Sequence, residues 1–306
     1  MKINSVALIG AGAIGAYFIS GLQEKMGRNF CVVAEGERAE RLQRDGLVIN
    51  GKRYALNVVT PDKAHGVDLL LVATKYAGLP GALPEIRAVC DDHTIVMSLL
   101  NGIDSEEIIG TVVNPSQIVY SLMRIASHRV GDSVNFDPER TDGLYLGEKG
   151  SPKESERIRA IEELCEKGGL RYHFVEDIIA DQWAKYTLNI SYNLPQAVLG
   201  VGYASYFDSE HVMFISKKLE EEVRTVADAY GIRFRPLENT RERYLPSVQF
   251  STLQDLNARR HTEIDMFCGV LMKKAAEKGV PVPYAEYTWH LIKALEEKND
   301  GLFDYT

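Results

Sequence analysis

Residues 5–15 read Ser5-Val6-Ala7-Leu8-Ile9-Gly10-Ala11-Gly12-Ala13-Ile14-Gly15. The apolar run at 5–9 predicts a buried strand, and a helical pattern begins inside the glycine-rich turn. This is the G-x-G-x-x-G pattern in the strand–turn–helix setting that a dinucleotide pyrophosphate requires. The N–H groups of the helix N-terminus face the phosphates in such a turn.

Each glycine of this turn has its own expected role. Gly10 permits the tight turn, Gly12 lets the main chain approach a phosphate without an intervening Cβ, and Gly15 lets the helix pack closely on the strand. We therefore predict that a dinucleotide is bound by Gly10, Ala11, Gly12, Ala13, Ile14 and Gly15.

The second predicted strand, residues 30–34, ends at an acidic residue. Glu35 lies 20 positions after Gly15, where a carboxylate can accept hydrogen bonds from the adenosine ribose hydroxyls. A carboxylate there favours NADH and repels the 2′-phosphate of NADPH. Alternatively, Glu35 is a solvated loop residue, and Arg38 and Arg41 supply a phosphate site. The sequence thus tilts the cofactor prediction towards NADH.

Strand and helix patterns alternate from residue 5 to about residue 127. Apolar runs at 69–73, 94–99 and 118–121 predict strands covered on both faces, as in a parallel sheet with helical crossovers. An Asn50-Gly51 pair within 47–59 predicts a hairpin that adds to this sheet in antiparallel fashion, and 143–147 predicts an edge strand. The predicted fold class is α/β, with an N-terminal Rossmann-type doubly wound parallel sheet.

The pattern changes after Pro152. A charged amphipathic stretch and a β-like run at 171–175 are followed by helical patterns at 178–192, 210–230, 252–278 and 285–298. A chain of 306 residues also has about twice the usual length of a domain. We predict a dinucleotide-binding Rossmann domain over residues 1–175 and a mainly α-helical substrate and catalytic domain over residues 176–306.

Composition excludes several classes of protein. With 45% hydrophobic and 25% charged residues, the chain is expected to be globular rather than disordered. A net charge of −8 provides no attraction to nucleic acid or anionic lipid. We expect a cytoplasmic protein without nucleic-acid or membrane partners. The four cysteines and seven histidines lack the spacing of metal ligands, so no metal site is predicted.

Further residues narrow the class of protein. They form an ordered set: Lys75, Leu100-Asn101-Gly102, Trp183-Ala184-Lys185-Tyr186-Thr187-Leu188-Asn189-Ile190-Ser191-Tyr192-Asn193, and the stretch from Ser251-Thr252-Leu253-Gln254-Asp255 to His261-Thr262-Glu263-Ile264-Asp265. Together they resemble the 2-dehydropantoate 2-reductase (ketopantoate reductase) family over almost the whole chain. The resemblance implies that NADPH reduces the ketone of 2-dehydropantoate to the hydroxyl of pantoate, on the way to pantothenate and coenzyme A.

The resemblance also implies roles for individual residues. Lys185 is then the catalytic lysine, and Glu263 completes the catalytic site. The implied substrate-binding residues are Asn101, Asn189, Asn193 and Ser251; the implied cofactor-binding residues are the glycine-rich turn, Lys75 and Asn101. The expected partner is a small-molecule ketoacid in a cleft between the domains, with a homodimer as a candidate assembly.

Two positions depart from the family pattern. Many relatives carry an arginine at the end of the second strand, where this chain has Glu35. Residues 196–206 lack a second asparagine that some relatives use on the substrate, and Tyr203 stands near that place. Two alternatives therefore stay open: a sister enzyme that reduces another 2-ketoacid, and a redox sensor that binds the dinucleotide without turning it over.

The chemistry of ketone reduction accounts for a lysine in this setting. Hydride transfer builds negative charge on the carbonyl oxygen, which a proton donor must neutralise. Lys185 lies in an apolar helical pattern beside Trp183 and Leu188, and burial there would lower its pKa. Asn189 and Asn193 follow at i+4 and i+8, so all three side chains are predicted on one helix face.

Less specific interpretations of these residues stay open as well. The row from Lys185 to Asn193 is also compatible with a solvated helix face. Ser251 can be a helix N-cap, and Glu263 can be a surface glutamate near two arginines of a charged helix. Lys75 can be a loop lysine that touches nothing.

Overall fold

The computed structural model of the chain describes residues 1–125, 127–130, 133–139, 141–237 and 239–303. The chain divides into two compact units, Met1–Ile179 and Ala180–Thr306. The predicted domain boundary after residue 175 lies just before the helix Ile178–Leu188, within which the two units meet in the sequence. No helix in the described ranges has both the length and the apolar composition needed to cross a membrane.

Where the structure describes the chain, the strands all belong to the first unit. They are β1 (Val6–Ile9), β2 (Phe30–Val33), β3 (Leu47–Ile49), β4 (Lys52–Tyr54), β5 (Val58–Val59), β6 (Leu69–Val72), β7 (Ile95–Ser98), β8 (Ile118–Arg124), β9 (Ser127–Val130), β10 (Ser133–Phe136), β11 (Gly143–Gly147) and β12 (Tyr172–Phe174). Within the described residues, eight of them form the main sheet in the order β12-β11-β8-β7-β6-β1-β2-β5. Neighbouring strands are parallel from β8 to β5.

Helices cover both faces of this sheet. The helices of the first unit are α1 (Ala13–Met26), α2 (Gly36–Asp45), α3 (Leu79–Val89), α4 (Ser105–Ile109) and α5 (Glu156–Gly168). Val6 and Leu8 of β1 join the apolar cluster that contains α1 and α5, whereas Ala7 and Ile9 join the cluster that contains α3. Because alternate residues of one strand are buried on opposite faces, the sheet is doubly wound. The predicted fold class is confirmed.

The Asn50-Gly51 hairpin forms, but its predicted place in the sheet is wrong. Asn50 (φ 49°) and Gly51 (φ 79°) join β3 to β4 in the left-handed region that a two-residue hairpin turn requires. The hairpin belongs to a second sheet, ordered β4-β3-β10-β9. Leu47 and Ile49 bury their side chains in the cluster with α1, while β4 exposes Lys52 and Arg53. One buried face suits a separate sheet that covers a helix.

The strand predicted at the edge of the main sheet, β11, lies inside it. β11 pairs with β8 in antiparallel and with β12 in parallel orientation. A Cβ on Gly143 would lie 2.1 Å from the Arg171 carbonyl oxygen, and one on Gly147 would lie 2.4 Å from that of Val175. Glycines at both ends of β11 thus allow the chain of β12 to approach closely, which makes β12 the edge strand.

The second unit is helical in its described residues. Its helices are α6 (Ile178–Leu188, whose first two residues group with the first unit), α7 (Leu194–Leu199), α8 (Ser205–Asp208), α9 (Glu210–Ala229), α10 (Ser251–Asn257), α11 (Val270–Lys278) and α12 (Pro283–Asn299). A π turn, Asn189–Asn193, joins α6 to α7, and a second one, Asp265–Gly269, leads into α11. α9 packs against the first π turn and against α11 and α12.

The continuous helix predicted over 252–278 is wrong. α10 ends at Asn257, and Arg259 adopts φ 52°, outside the helical region. The segment 258–263 is therefore a loop that returns to helix only at Ile264. Neither glycine nor proline marks this interruption: the Arg259 and Arg260 amides close a local turn on the Leu256 and Asp255 carbonyls, and hydrogen bonds to α12 hold the chain on both sides of it.

Candidate active site

The glycine-rich turn has the geometry of a dinucleotide cradle. Gly10 (φ +105°) would place a Cβ 2.5 Å from the Ala73 backbone, and Gly15 would place one 2.1 Å from the Gly10 carbonyl oxygen. A Cβ on Gly12, in contrast, would meet nothing within 4 Å. Two glycines are thus required by the protein's own packing, whereas Gly12 leaves a gap at the N-cap of α1. A pyrophosphate fits such a gap.

The other predicted cofactor residues follow neighbouring parallel strands. Glu35 is the exposed N-cap residue of α2, directly after Ala34 and β2. Lys75 follows β6 and is exposed, and Asn101 follows β7 and is half-buried. Because the carboxyl ends of parallel strands meet at one edge, all three residues lie along the same edge as the glycine-rich turn.

A hydrogen bond that sequence reasoning missed ties two of these loops together. The Tyr76 hydroxyl donates to Asp104 Oδ2 at 2.7 Å. Tyr76 directly follows Lys75, and Asp104 closes the loop that begins with Asn101. The bond therefore fixes the loops after β6 and β7 relative to each other. Apart from this adjacency to predicted site residues, the sequence carries no signal for the pair.

Lys185 sits on a firmly packed helix in the second unit. Trp183 and Tyr186, on either side of it, are 3% and 1% exposed, whereas Lys185 itself is half-buried. The two rings contact each other edge to face at 6.0 Å, and the Tyr186 hydroxyl donates to the Phe267 carbonyl. The buried aromatic face fixes the rotation of α6, and thereby the direction in which Lys185 leaves the helix.

A π turn contains both asparagines that follow Lys185. In an α-helix a spacing of four residues overshoots one turn, so three residues at i, i+4 and i+8 drift around the helix. The wider π turn over Asn189–Asn193 falls short of a full turn in four residues. The two deviations oppose each other, which keeps Lys185, Asn189 and Asn193 closer to one line than regular α geometry would. The sequence did not indicate this turn.

Asn193 and Ser251 are in direct contact. Asn193 Nδ2 donates to Ser251 Oγ at 3.0 Å, and Asn193 Oδ1 accepts from the Thr252 amide at 3.1 Å. Asn193 is 4% exposed, whereas Ser251 is exposed. The N-cap residue of α10 is Phe250, which makes no side-chain cap. The interpretation of Ser251 as an N-cap is therefore wrong, because the Asn193 side chain caps the helix instead.

The cap predicts a loss of stability when Asn193 is shortened. Asn193→Ala should lower the free energy of unfolding by about 1–2 kcal/mol, since the buried Thr252 amide loses its acceptor. Asn193→Asp, which keeps the acceptor but not the donor to Ser251, should lose less. Urea denaturation of the three proteins measures the difference; equal stability of the alanine and aspartate variants would contradict the capping role.

A second buried amide, missed in the sequence, supports the same segment. Gln196 is fully buried; its Nε2 donates to the Val248 carbonyl at 2.9 Å, and its Oε1 accepts from the Phe250 amide at 2.6 Å. Gln196 follows Asn193 by three residues, close to the first π turn. The two amides together hold the chain from residue 248 to residue 252, and with it Ser251.

Tyr203, singled out near the missing asparagine, is part of an aromatic cluster. It is fully buried, and its hydroxyl donates to the Thr240 carbonyl at 2.9 Å. The Tyr203 ring lies 5.0 Å from that of Tyr244 and 5.9 Å from that of Phe250. Tyr244 and Phe250 are half-buried and contact each other at 5.6 Å. The cluster therefore ends beside Ser251.

Glu263 lies in a loop rather than in the predicted charged helix. It is half-buried, precedes the second π turn, and its carbonyl accepts from the Phe267 amide at 3.0 Å. Arg260 Nε donates to Asp255 Oδ1 at 2.8 Å.

Among the described residues, no group of three or more His, Cys, Asp or Glu side chains is arranged to hold a metal ion.

Comparisons with known proteins identify the family of the chain. The family model for ketopantoate reductase PanE/ApbA matches residues 6–148, and the model for the C-terminal part of the same family matches residues 177–296. A curated 2-dehydropantoate 2-reductase from Pyrococcus horikoshii is 27% identical over 97% of this chain and 99% of its own length.

Solved structures share the fold over similar lengths. The PanE/ApbA family ketopantoate reductase from Ralstonia eutropha has a TM-score of 0.80 and 21% identity, and covers 97% of this chain and 99% of its own. A D-mandelate dehydrogenase, solved with NADH and anilino(oxo)acetate, has a TM-score of 0.80 and 23% identity over the same shares. The chain belongs to the ketopantoate reductase family, a family of nicotinamide-dependent oxidoreductases.

Proposed function

We propose that this protein reduces 2-dehydropantoate to pantoate, a precursor of pantothenate and coenzyme A, with a reduced nicotinamide dinucleotide. The contact between Asn193 and Ser251 carries the proposal. It joins residues that are 58 positions apart in the chain and brings an exposed hydroxyl to the π turn that contains Asn189 and follows α6, the helix of Lys185. A proton donor, amides and a hydroxyl grouped in this way suit a 2-ketoacid, which offers a carbonyl and a carboxylate.

The first unit supplies the residues for the cofactor. The Gly10–Gly15 turn binds the pyrophosphate, and Glu35 binds the adenosine ribose. Lys75 and Asn101 bind the remaining part of the dinucleotide. When bound, the reduced nicotinamide supplies the hydride that the keto carbon accepts.

The second unit supplies the proton and orients the ketoacid. The Lys185 ammonium donates a proton to the carbonyl oxygen as negative charge develops there, so that the ketone becomes a hydroxyl and the amine is left to regain a proton from solvent. Ser251 binds the substrate carboxylate, and Asn189 orients the substrate; Asn101 is a further proposed substrate contact. Asn193 holds Ser251 in place while Ser251 contacts the substrate. Glu263 accepts a hydrogen bond from the substrate hydroxyl.

The proposed activity is tested by following cofactor oxidation with 2-dehydropantoate and either NADH or NADPH. We expect ketoacid-dependent oxidation that saturates with substrate. Cofactor binding without oxidation by any 2-ketoacid would refute the proposal and favour the dinucleotide sensor. Light scattering on the same preparation tests the expected homodimer.

Glu35 predicts the outcome of the cofactor comparison. We expect NADH to be preferred, because a carboxylate at the end of β2 accepts from ribose hydroxyls and repels a 2′-phosphate. Glu35→Arg should shift the ratio of kcat/KM values towards NADPH by roughly tenfold or more, since charge repulsion is replaced by attraction. The matched control is Glu37→Arg, two residues further along α2. Equal shifts in both variants would contradict the role of Glu35.

A sister reductase of an aromatic 2-ketoacid is the second candidate, favoured by the Tyr203, Tyr244 and Phe250 cluster beside Ser251. Rings at that place can pack against an aromatic substituent of the ketoacid. The assay is therefore repeated with phenylglyoxylate. A higher kcat/KM with phenylglyoxylate than with 2-dehydropantoate would select this candidate.

A further inference from the structure

The last turns of α12 hold the loop that carries Glu263. Glu296 Oε1 accepts two hydrogen bonds from Thr262, one from the backbone amide at 2.7 Å and one from the hydroxyl at 2.6 Å. The Thr262 hydroxyl oxygen in turn accepts from the Ile264 amide at 3.2 Å. The residues on both sides of Glu263 are thus tied, directly or through Thr262, to a single carboxylate.

This carboxylate is buried, and its hydrogen bonds to Thr262 fix its orientation. Glu296 is 3% exposed. Its second oxygen, Oε2, lies 3.0 Å from Lys293 Nζ and 3.6 Å from His261 Nδ1. Burial by itself would lower the pKa of Lys293. Hydrogen bonding to Glu296 and the charges of Glu296 and Asp265 outweigh burial, so the pKa of Lys293 is raised overall. Burying a carboxyl group is costly unless polar partners surround it, and here Thr262, Lys293 and His261 do so.

Two further contacts attach the last turn of α10 and the loop to the end of α12. Asn299 Nδ2 donates to the Leu256 carbonyl at 2.9 Å, and His261 Nε2 lies 2.9 Å from Asp300 Oδ2. The anchors span the whole loop from the end of α10 to Thr262. At its start the loop makes a local turn in which the Arg259 amide (φ +52°) donates to the Leu256 carbonyl at 3.0 Å and the Arg260 amide to the Asp255 carbonyl at 2.9 Å. Beyond this turn, contacts to α12 hold the loop at His261 and Thr262.

We propose that Glu296 is a positioning residue for the reaction: through Thr262 it sets the direction in which the Glu263 carboxylate leaves the backbone. This inference rests on the proposed function, in which Glu263 contacts the substrate. A small misplacement of such a group costs turnover more than it costs cofactor binding, because orientation matters most at the reacting centre. Glu296 itself contacts neither substrate nor cofactor.

Thr262→Val is the sharper test, because Glu296→Ala would leave Lys293 and His261 without their buried partner and can fail to fold. Valine keeps the shape of threonine but removes the hydroxyl that joins Glu296 to the Ile264 amide. We expect kcat with 2-dehydropantoate, or with whichever 2-ketoacid the wild type reduces, to fall roughly tenfold while the Kd for the cofactor is unchanged. Thr262→Ser should restore most of kcat. Thr225→Val, on the exposed face of α9, is the matched control.

A double variant separates positioning from a general loss of stability. If Thr262 acts through Glu263, Thr262→Val should cause no further loss of kcat in a Glu263→Gln background. The inference is overturned if Thr262→Val behaves like Thr225→Val, or if its loss is undiminished in that background. A wild-type protein that turns over no 2-ketoacid would refute the proposed function, and the inference would fall with it; an active wild type with additive losses refutes the inference alone.

Discussion

Lys185→Met is expected to lower kcat for ketoacid reduction by about a thousandfold, the loss typical of removing a proton donor that also stabilises developing charge. Methionine has nearly the length of lysine and suits the half-buried position on α6, between the buried Trp183 and Tyr186. The helix should therefore keep its packing, and the Kd for the cofactor should stay within about twofold of the wild-type value.

Single-turnover and steady-state measurements with saturating cofactor test this expectation. Lys217→Met, at an exposed position of α9, is the matched control and should leave kcat unchanged. A wild-type kcat in Lys185→Met would remove Lys185 from the proton-donor role and leave the proposed mechanism without its acid. Equal losses of kcat and of cofactor affinity would indicate a folding defect instead.

Gly12→Ala and Gly15→Ala are expected to fail in different ways. A Cβ on Gly12 would meet no protein atom within 4 Å, and the Gly12 backbone has a φ of −89°, which suits alanine. Stability should therefore change by less than about 0.5 kcal/mol. The methyl group would occupy the space where the pyrophosphate approaches the main chain, so affinity for the dinucleotide should fall by roughly a hundredfold.

Gly15→Ala should instead damage the fold. Its Cβ would lie 2.1 Å from the Gly10 carbonyl oxygen, so α1 and the turn must move apart, at a cost of about 1–3 kcal/mol. Thermal unfolding and cofactor titration of both variants give four values that distinguish the two outcomes. Wild-type affinity in Gly12→Ala would contradict the cradle, and an unchanged melting temperature in Gly15→Ala would contradict the close packing of α1 on the turn.

Local sequence patterns predicted the elements that have the same kind of surroundings along their whole length. β1, β2, β6, β7 and β8 are buried on both faces, which the sequence records as continuous apolar runs. The glycine-rich turn was predictable because its three glycines are close in the sequence: Gly10 and Gly15 are required by nearby backbone atoms, and Gly12 leaves a gap at the start of α1. The Asn50-Gly51 hairpin belongs here too, since its turn geometry is local.

Long-range contacts decided the rest. The partner of the hairpin is β10, which carries no strong pattern of its own, so the second sheet was not predicted. The break at 258–263 has no glycine or proline: a local turn at Arg259 and Arg260 ends α10, and Glu296, Asn299 and Asp300, at the end of α12 and just beyond it, hold the surrounding chain. The π turn after α6 likewise leaves no mark in the residue pattern.

The amino-acid order alone predicted a dinucleotide cradle at the glycine-rich turn, because the strand, the turn and the helix that form it are consecutive in the chain. It also determined which family the chain resembles, through residue types at fixed spacings. Only the tertiary structure decided which side chains support the site: Asn193 reaches Ser251, Gln196 reaches Phe250, and Glu296 reaches Thr262. The physical reason is that a hydrogen bond depends on the distance between two atoms in space, which sequence separation does not specify.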